Sequence, residues 1–354
     1  MTNPNLKLNP KLFKEDIDPV RGREGSSHTS SLRDKQHTSA SNGVEQVPTR
    51  FGYGEGLVIA GKENPNVVAL CADLTDSTRT SVFKKEFPDR FVEVGIGEQN
   101  MASLASGMAA VGKIPFISSY AMFSPGRNWE QIRTTICYNN QNVKIAGAHS
   151  GVSVGPDGAT HQAIEDMAIT RVIPNMVVIA PCDAIEAKKA TIAAARYKGP
   201  VYIRFTREKT PIMTTEETPF EIGKAEIYRE GKDVTIICCG PLVYEALKAA
   251  EELAKEGIEA EVINNHTIKP MDKETILESV KKTGCVVTIE EHQAAGGMGS
   301  AVSEILSQNF PAPMEIIGVK DRFGESGEPN ELLEKFGLTA KNIIESAKKA
   351  IKRK

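Results

Sequence analysis

From about Val47 onward, short β-branched apolar runs alternate with stretches of helical character, and this alternation constrains the fold more than any other feature of the chain. VVALCAD, FVEVG, IPFISSYA, VKIAGAHS, MVVIAP and VYIRFT read as strands, whereas FGYGEGLVIAGKEN, GRNWEQIRTTICYNN, HQAIEDMAITRV and DAIEAKKATIAAARYKG read as helices. Strands that are apolar nearly throughout and separated by helices are buried on both faces, which indicates a parallel sheet covered on each side. The stretch 208–222 carries two prolines and little periodicity, so it reads as a linker. A second alternating unit follows. VTIICCG leads into a helix on which Val243, Leu247, Ala250 and Ala254 mark one face and Gly257 suits the position just past the end. Then come EAEVIN, a helix around Lys273–Lys282, CVVTIEEH, a helix beginning near Met298, MEIIGVKD and two helical stretches. The expected fold is α/β, with two consecutive three-layer α/β/α domains at 47–207 and 223–354. Residues 1–46 are rich in Ser, Thr, charge and turn formers, with Phe13 as the one aromatic, and read as a flexible N-terminal arm in which His28 and His37 are solvated bystanders.

Composition excludes several classes of partner. A formal charge of -3 leaves no basic footprint, so nucleic acid is not expected. The six cysteines have no metal-like spacing and sit mostly in apolar runs, as reduced core residues of a cytoplasmic protein do. No charged-then-apolar leader is evident, and no apolar run approaches the roughly 18 residues of a membrane span. GYGEG at Gly52–Gly56 and GGMGS at Gly296–Ser300 hold glycine pairs that suit a phosphate, but neither completes a dinucleotide fingerprint.

Two stretches carry candidate chemistry. In FVEVGIGEQN a β-rich run meets two glycines and then Glu98, which opens the helical stretch Gln99–Val111. The dipole of a structural helix already welcomes a carboxylate there. The following MASLASGMAAVG is almost all small or apolar, so the helix is expected to be buried on most sides, with Glu98 near a dry interface. Burying a carboxylate is unfavourable, and function is one reason to do it. The second stretch, HSGVSVGPDGATHQAIED, runs from His149 to Asp166, follows a strand and opens a helix at His161 or Gln162, with Thr160 as its N-cap. Asp157-Gly158 is an ordinary turn pair. Two histidines and an aspartate on such a loop suit a metal site, a substrate cradle or a capped turn. Its place at the end of a parallel strand favours function for the loop as a unit.

EVGIGEQN, GPDGATHQ, the aromatic segment SSYAMF and IKPMD at Ile268–Asp272 occur in an order that resembles the C-terminal half of the transketolase family of thiamin diphosphate enzymes. The resemblance runs from about Val47 to the end. It implies a pyrimidine-binding domain followed by a transketolase C-terminal domain. The family's diphosphate-binding half carries Gly-Asp-Gly and an asparagine that hold Mg²⁺, and no Gly-Asp-Gly occurs here. The resemblance therefore implies the C-terminal subunit of a split, two-chain transketolase. A separate N-terminal subunit would supply the diphosphate and Mg²⁺ sites, in an α₂β₂ assembly that is inactive without it. The implied reaction moves a two-carbon ketol unit from a ketose phosphate to an aldose phosphate, as in the pentose phosphate pathway.

Residue by residue, Glu98 matches the glutamate that hydrogen-bonds N1′ of the cofactor's aminopyrimidine. Tyr120 and Phe123 match aromatic positions packing against that ring, and Asp73 falls at a position near the cofactor. Arg50, Ser77, His149 and Arg207 match the phosphate-binding set. Asp157 matches the reader of the acceptor's C2 hydroxyl, and His161 the residue facing the donor's hydroxyls and carbonyl. One residue is inserted relative to the family's pattern between Phe123 and Arg133. Deoxyxylulose-phosphate synthases share a similar Asp-Gly-x-Thr-His loop but lack a histidine eight residues before its aspartate, a spacing that His149 and Asp157 have here. The β subunits of 2-oxoacid dehydrogenases have this size without that loop, and a non-catalytic regulatory subunit of the same fold has no need of Glu98, Asp157 and His161 together.

Overall fold

The computed structural model describes residues 8–12, 39–41 and 44–354, so Phe13, His28 and His37 lie outside the described residues. A seven-stranded sheet runs, edge to edge, through Thr267–Lys269, Val177–Ile179, Val201–Arg204, Lys144–Ala148, Ile114–Tyr120, Val67–Cys71 and Phe91–Glu93. Its pairings are parallel except that of Thr267–Lys269, which lies antiparallel on Val177–Ile179. Successive residues of a strand face opposite sides of a sheet. Accordingly Val67, Ala69, Phe116, Val177 and Ile179 pack with the helices Thr49–Glu63 and Ala184–Arg196. Val68, Leu70, Ile117, Ile145 and Val178 pack instead with the helix Glu98–Ala110 and with a π-helical turn, Ile132–Cys137. The GYGEG run serves close helix approach. A Cβ at Gly52 would lie 1.8 Å from the Ala184 carbonyl oxygen, and one at Gly56 2.7 Å from that of Lys188.

The second sheet has five strands in the order Glu226–Arg229, Ala260–Asn264, Val234–Cys238, Val286–Gln293 and Met314–Val319, with only the first antiparallel to its neighbour. One face is covered by the helices Val243–Lys255 and Ala340–Ile351, the other by Lys273–Thr283 and Met298–Asn309. The architecture is thus two consecutive α/β units. The GGMGS loop feeds this packing rather than a phosphate. The backbone N–H groups of Met298 and Gly299 donate to the two oxygens of buried Glu290, 2.7 and 2.8 Å away, so this helix N-terminus is already occupied by a carboxyl group of the chain itself.

Two segments expected to be irregular carry strands. Ser39–Ser41 and Val44–Pro48 of the arm join Lys209–Pro211 of the linker in a three-stranded antiparallel sheet. Their sequences, SAS, VEQVP and KTP, hold no continuous apolar run to mark them. The segment 8–12 is attached there as well. Asn9 donates its backbone N–H to the Met213 carbonyl and its side-chain amide to that of Ile212, both at 2.8 Å, and Leu12 is buried in the second unit's core.

The two units are knit together by more than the linker. One hydrophobic cluster contains Val178 and Tyr202 of the first sheet and Ile237 and Ile263 of the second. At the seam, buried Arg204 donates to Asp166 at 2.8 Å and to the carbonyls of Ala163 and Glu291 at 3.2 and 2.7 Å. Removing one partner of such a buried ion pair costs about 3–5 kcal/mol. Among the described residues no helix is long and apolar enough to cross a membrane, and all six cysteines are buried and unpaired.

Candidate active site

Residues following the carboxyl ends of the first sheet's strands converge, as in other open parallel sheets. Asp73 follows Val67–Cys71, Glu98 follows Phe91–Glu93, Tyr120 ends its strand, His149 follows Lys144–Ala148 and Arg207 follows Val201–Arg204. Asp73 and His149 both hold φ in the left-handed region, at 57° and 55°, conformations that persist in non-glycine residues where the surroundings impose them.

Glu98 is the first residue of its helix and is 1% exposed. Its Oε1 accepts from the Ser119 hydroxyl at 3.1 Å, and its Oε2 pairs with the Arg127 guanidinium at 2.6 Å. The Asn128 amide donates to the Glu98 carbonyl and to the Ser124 hydroxyl, both at 3.1 Å, fixing the segment that carries Arg127. The helix is not buried on most sides. Met101, Ala102 and Ala105 face the sheet, while Gln99, Asn100, Ser103 and Leu104 are exposed in this chain. Past Asn100 the outer face holds Ser103, Leu104, Gly107 and Ala110, small or apolar like the buried face, so the sequence did not separate the two.

Aromatic rings line the space beside Glu98. Tyr120 stacks on His149 with centroids 3.9 Å apart and lies 5.9 Å from Phe123, while the His161 ring stands edge-on to Tyr120 and Phe123 at 6.0 and 5.6 Å. The Arg127 guanidinium carbon lies 4.8 Å from the centroid of Phe123. His149 is buried beside cations. Burial, then Arg50, Arg207 and His161, push its pKa down to about 2, which keeps the ring neutral. Its Nε2 is 3.4 Å from Arg50 Nη1, and its Nδ1 has no partner.

Arg50 and Arg207 are brought together by Thr49, whose hydroxyl accepts from the Thr206 backbone at 2.8 Å and lies 3.1 Å from the Thr206 hydroxyl. Burial lowers the Arg50 pKa and the nearby Arg207 charge adds to the effect. Arg50 donates to the Ser77 carbonyl at 2.9 Å, so Ser77 reaches the cluster through its backbone. Arg207 donates to the Val154 carbonyl at 2.7 Å and stands 3.5 Å from a carboxylate oxygen of Asp157, on the exposed tip of the glycine-rich loop. Asp73 sits at the rim, its backbone N–H held by Glu93 at 2.8 Å.

The loop itself departs from expectation. The helix begins at Asp166 rather than at His161 or Gln162, with Glu165 in the cap position. Thr160 places its hydroxyl 2.9 Å from His161 Nδ1 instead of capping, and Ala163 is drawn into a bridge with Ser150. Gln162, which sequence reasoning passed over, donates to the carbonyls of Val152, Gly155 and Glu325, tying the loop to the second unit. Ser119, Glu93 and Arg127 were missed as well. For Arg127 the one available signal was the inserted residue in its segment. Among the described residues no three His, Cys, Asp or Glu side chains are grouped so that they could hold a metal ion.

Comparison with known proteins adds the following. The family model "Transketolase, pyrimidine binding domain" matches residues 45–213, and "Transketolase, C-terminal domain" matches residues 223–343. A putative transketolase C-terminal section from Methanocaldococcus jannaschii is 49% identical over 307 residues, covering 85% of this chain and 96% of that protein. A 6-deoxy-6-sulfo-D-fructose transketolase subunit from Clostridium sp. is 43% identical over 311 residues, covering 88% and 97%. A solved structure titled "Split gene transketolase, inactive beta4 tetramer" superposes with a TM-score of 0.82 at 48% identity, covering 87% of this chain and 99% of its own.

Proposed function

Because the chain belongs to the transketolase family, we propose that it is the C-terminal subunit of a two-chain transketolase, transferring a two-carbon ketol unit between sugar phosphates together with a separate diphosphate-binding chain. The observation that carries this reading is that the flat guanidinium of Arg127 pairs with the buried Glu98 carboxylate and lies over the Phe123 ring. A planar nitrogen heterocycle of similar thickness, the aminopyrimidine of thiamin diphosphate, fits the same two contacts. Thiamin diphosphate supplies, when bound, the nucleophilic carbon that takes up the ketol unit. On this chain, Glu98 would exchange a proton with N1′, Ser119 would orient the carboxyl, and Tyr120 and Phe123 would hold the ring, with Asp73 at the rim.

Arg50, Arg207, Ser77 and neutral His149 would take the phosphate of the sugar, the two guanidiniums supplying charge and His149 a hydrogen bond. Asp157 would read the acceptor's C2 hydroxyl and His161 the donor's reacting end. The Mg²⁺ and its ligands are assigned to the companion chain. In support, both relatives named above as a C-terminal section and a subunit are matched over nearly their whole length.

The test is Glu98→Gln in the assembled complex. Gln fills the same space and still donates a hydrogen bond but cannot exchange the proton, so kcat should fall by about 10²–10⁴-fold with folding and assembly unaltered. Exchange of the cofactor's C2 proton, followed by NMR in deuterated solvent, isolates the step. Exchange at the parent rate would reduce Glu98 to a helix-terminal carboxylate.

A further inference from the structure

We infer that Arg127 is a resident counter-ion that holds the cofactor's place on Glu98 in the cofactor-free chain and must give it up on loading, so that it sets the affinity for thiamin diphosphate. The inference rests on the reading that Glu98 meets the aminopyrimidine.

A carboxylate as fully removed from water as Glu98 requires a partner. Ser119 satisfies Oε1, and Oε2 depends on Arg127 at 2.6 Å. The same guanidinium covers Phe123. One side chain therefore occupies both the acceptor and the ring face that an aminopyrimidine needs, and two planar groups cannot occupy that layer together. While Arg127 is seated, Oε2 is taken.

The surroundings allow the side chain to leave without the backbone. On one side Asn128 is buried and anchored to Glu98 and Ser124. On the other Gly126 is wedged so closely that a Cβ there would lie 1.9 Å from the Met122 carbonyl oxygen. The Arg127 side chain, by contrast, is 47% exposed and can turn outward into solvent by rotation about its own bonds. A site whose competent form is a minor fraction binds more weakly by that fraction. If about a tenth of cofactor-free sites have Arg127 turned out, removing the guanidinium strengthens binding about tenfold.

The experiment is calorimetric titration of thiamin diphosphate, at saturating Mg²⁺, into the complex of this chain with its companion. Arg127→Met keeps an unbranched stem of similar girth without the charge, and Arg127→Gln serves as a second neutral variant. Both should lower Kd by about tenfold, whereas Arg127→Lys, which keeps a cation for Oε2 but not the planar group over Phe123, should fall between them and the parent. In a Glu98→Gln background, where the carboxylate that Arg127 pairs with is gone, Arg127→Met should change Kd by less than about twofold. That non-additivity is what a direct contact produces and a general loosening of the segment does not. Unchanged or weaker binding by both neutral variants overturns the assignment of Arg127 while leaving that of Glu98 in place. A parent complex that takes up no thiamin diphosphate overturns both.

Discussion

The contrast between Arg207 and Glu98 shows what single residues disclose before folding. Glu98, His149, Asp157 and His161 stand in motifs whose spacing is local, so the sequence singles them out; in the structure His149 and His161 meet at the Tyr120 ring, Arg127 links Glu98 to Phe123, and Asp157 lies beside Arg207. Arg127, Ser119 and Gln162 matter because of what reaches them across the fold, at separations of 29, 21 and up to 163 residues, and no local pattern encodes that. Arg207 falls between, since its Val154 and Asp157 contacts lie in three dimensions but its position follows a strand end. If its charge meets the sugar's phosphate, Arg207→Ala should raise KM for phosphorylated sugars by about 10–100-fold relative to unphosphorylated ones. A charge-assisted hydrogen bond is worth about 1.5–3 kcal/mol. Initial-rate kinetics with matched substrate pairs will show the split, and equal losses on both would take Arg207 out of the phosphate site.

Elements were legible where an apolar β-branched run marked them. The apolar runs located the sheet strands because each is buried on both faces, whereas Ser39–Ser41, Lys209–Pro211 and Thr267–Lys269 read SAS, KTP and TIK and carry no such run. The connection entering Thr267–Lys269 also carries a pH dependence. His266 is fully buried against Phe220, its Nδ1 beside the Thr267 hydroxyl at 3.0 Å, and burial pushes its pKa down to about 3. The unfolded chain takes up this proton near pH 6.5, so stability is present above that pH and is lost as pH falls from about 6.5 toward 3. The slope reaches up to about 1.4 kcal/mol per pH unit. His149 acts in the same direction. Urea midpoints of the parent should therefore drop between pH 7 and pH 4.5, and His266→Asn, which retains a donor near Thr267 but no titrating ring, should drop less. Identical slopes would show that His266 is not charged on unfolding.

At the scale of the whole molecule, three of the large apolar side chains left exposed surround the helix that Glu98 opens. Ile96 and Val111 flank the helix Glu98–Ala110, at 76% and 79% exposure, and Tyr138, at 85%, follows the π-helical turn packed against it. A face of this kind suits self-association. The purified chain should sediment as an oligomer without ketol transfer, gain activity only with its companion, and lose both association and activity as Val111→Asp/Tyr138→Glu. Transfer by this chain alone, with thiamin diphosphate and Mg²⁺ added, would end the two-chain reading. The strand Thr267–Lys269 has a consequence of another kind. By sequence it belongs to the second unit, yet its hydrogen bonds complete the edge of the first sheet. Two bodies stitched by a shared sheet edge have no hinge between them, and jaw-like opening would tear the ladder. If the chain works with a companion as proposed above, the lifetime of a loaded site is then a property of how the two chains part rather than of how this one bends.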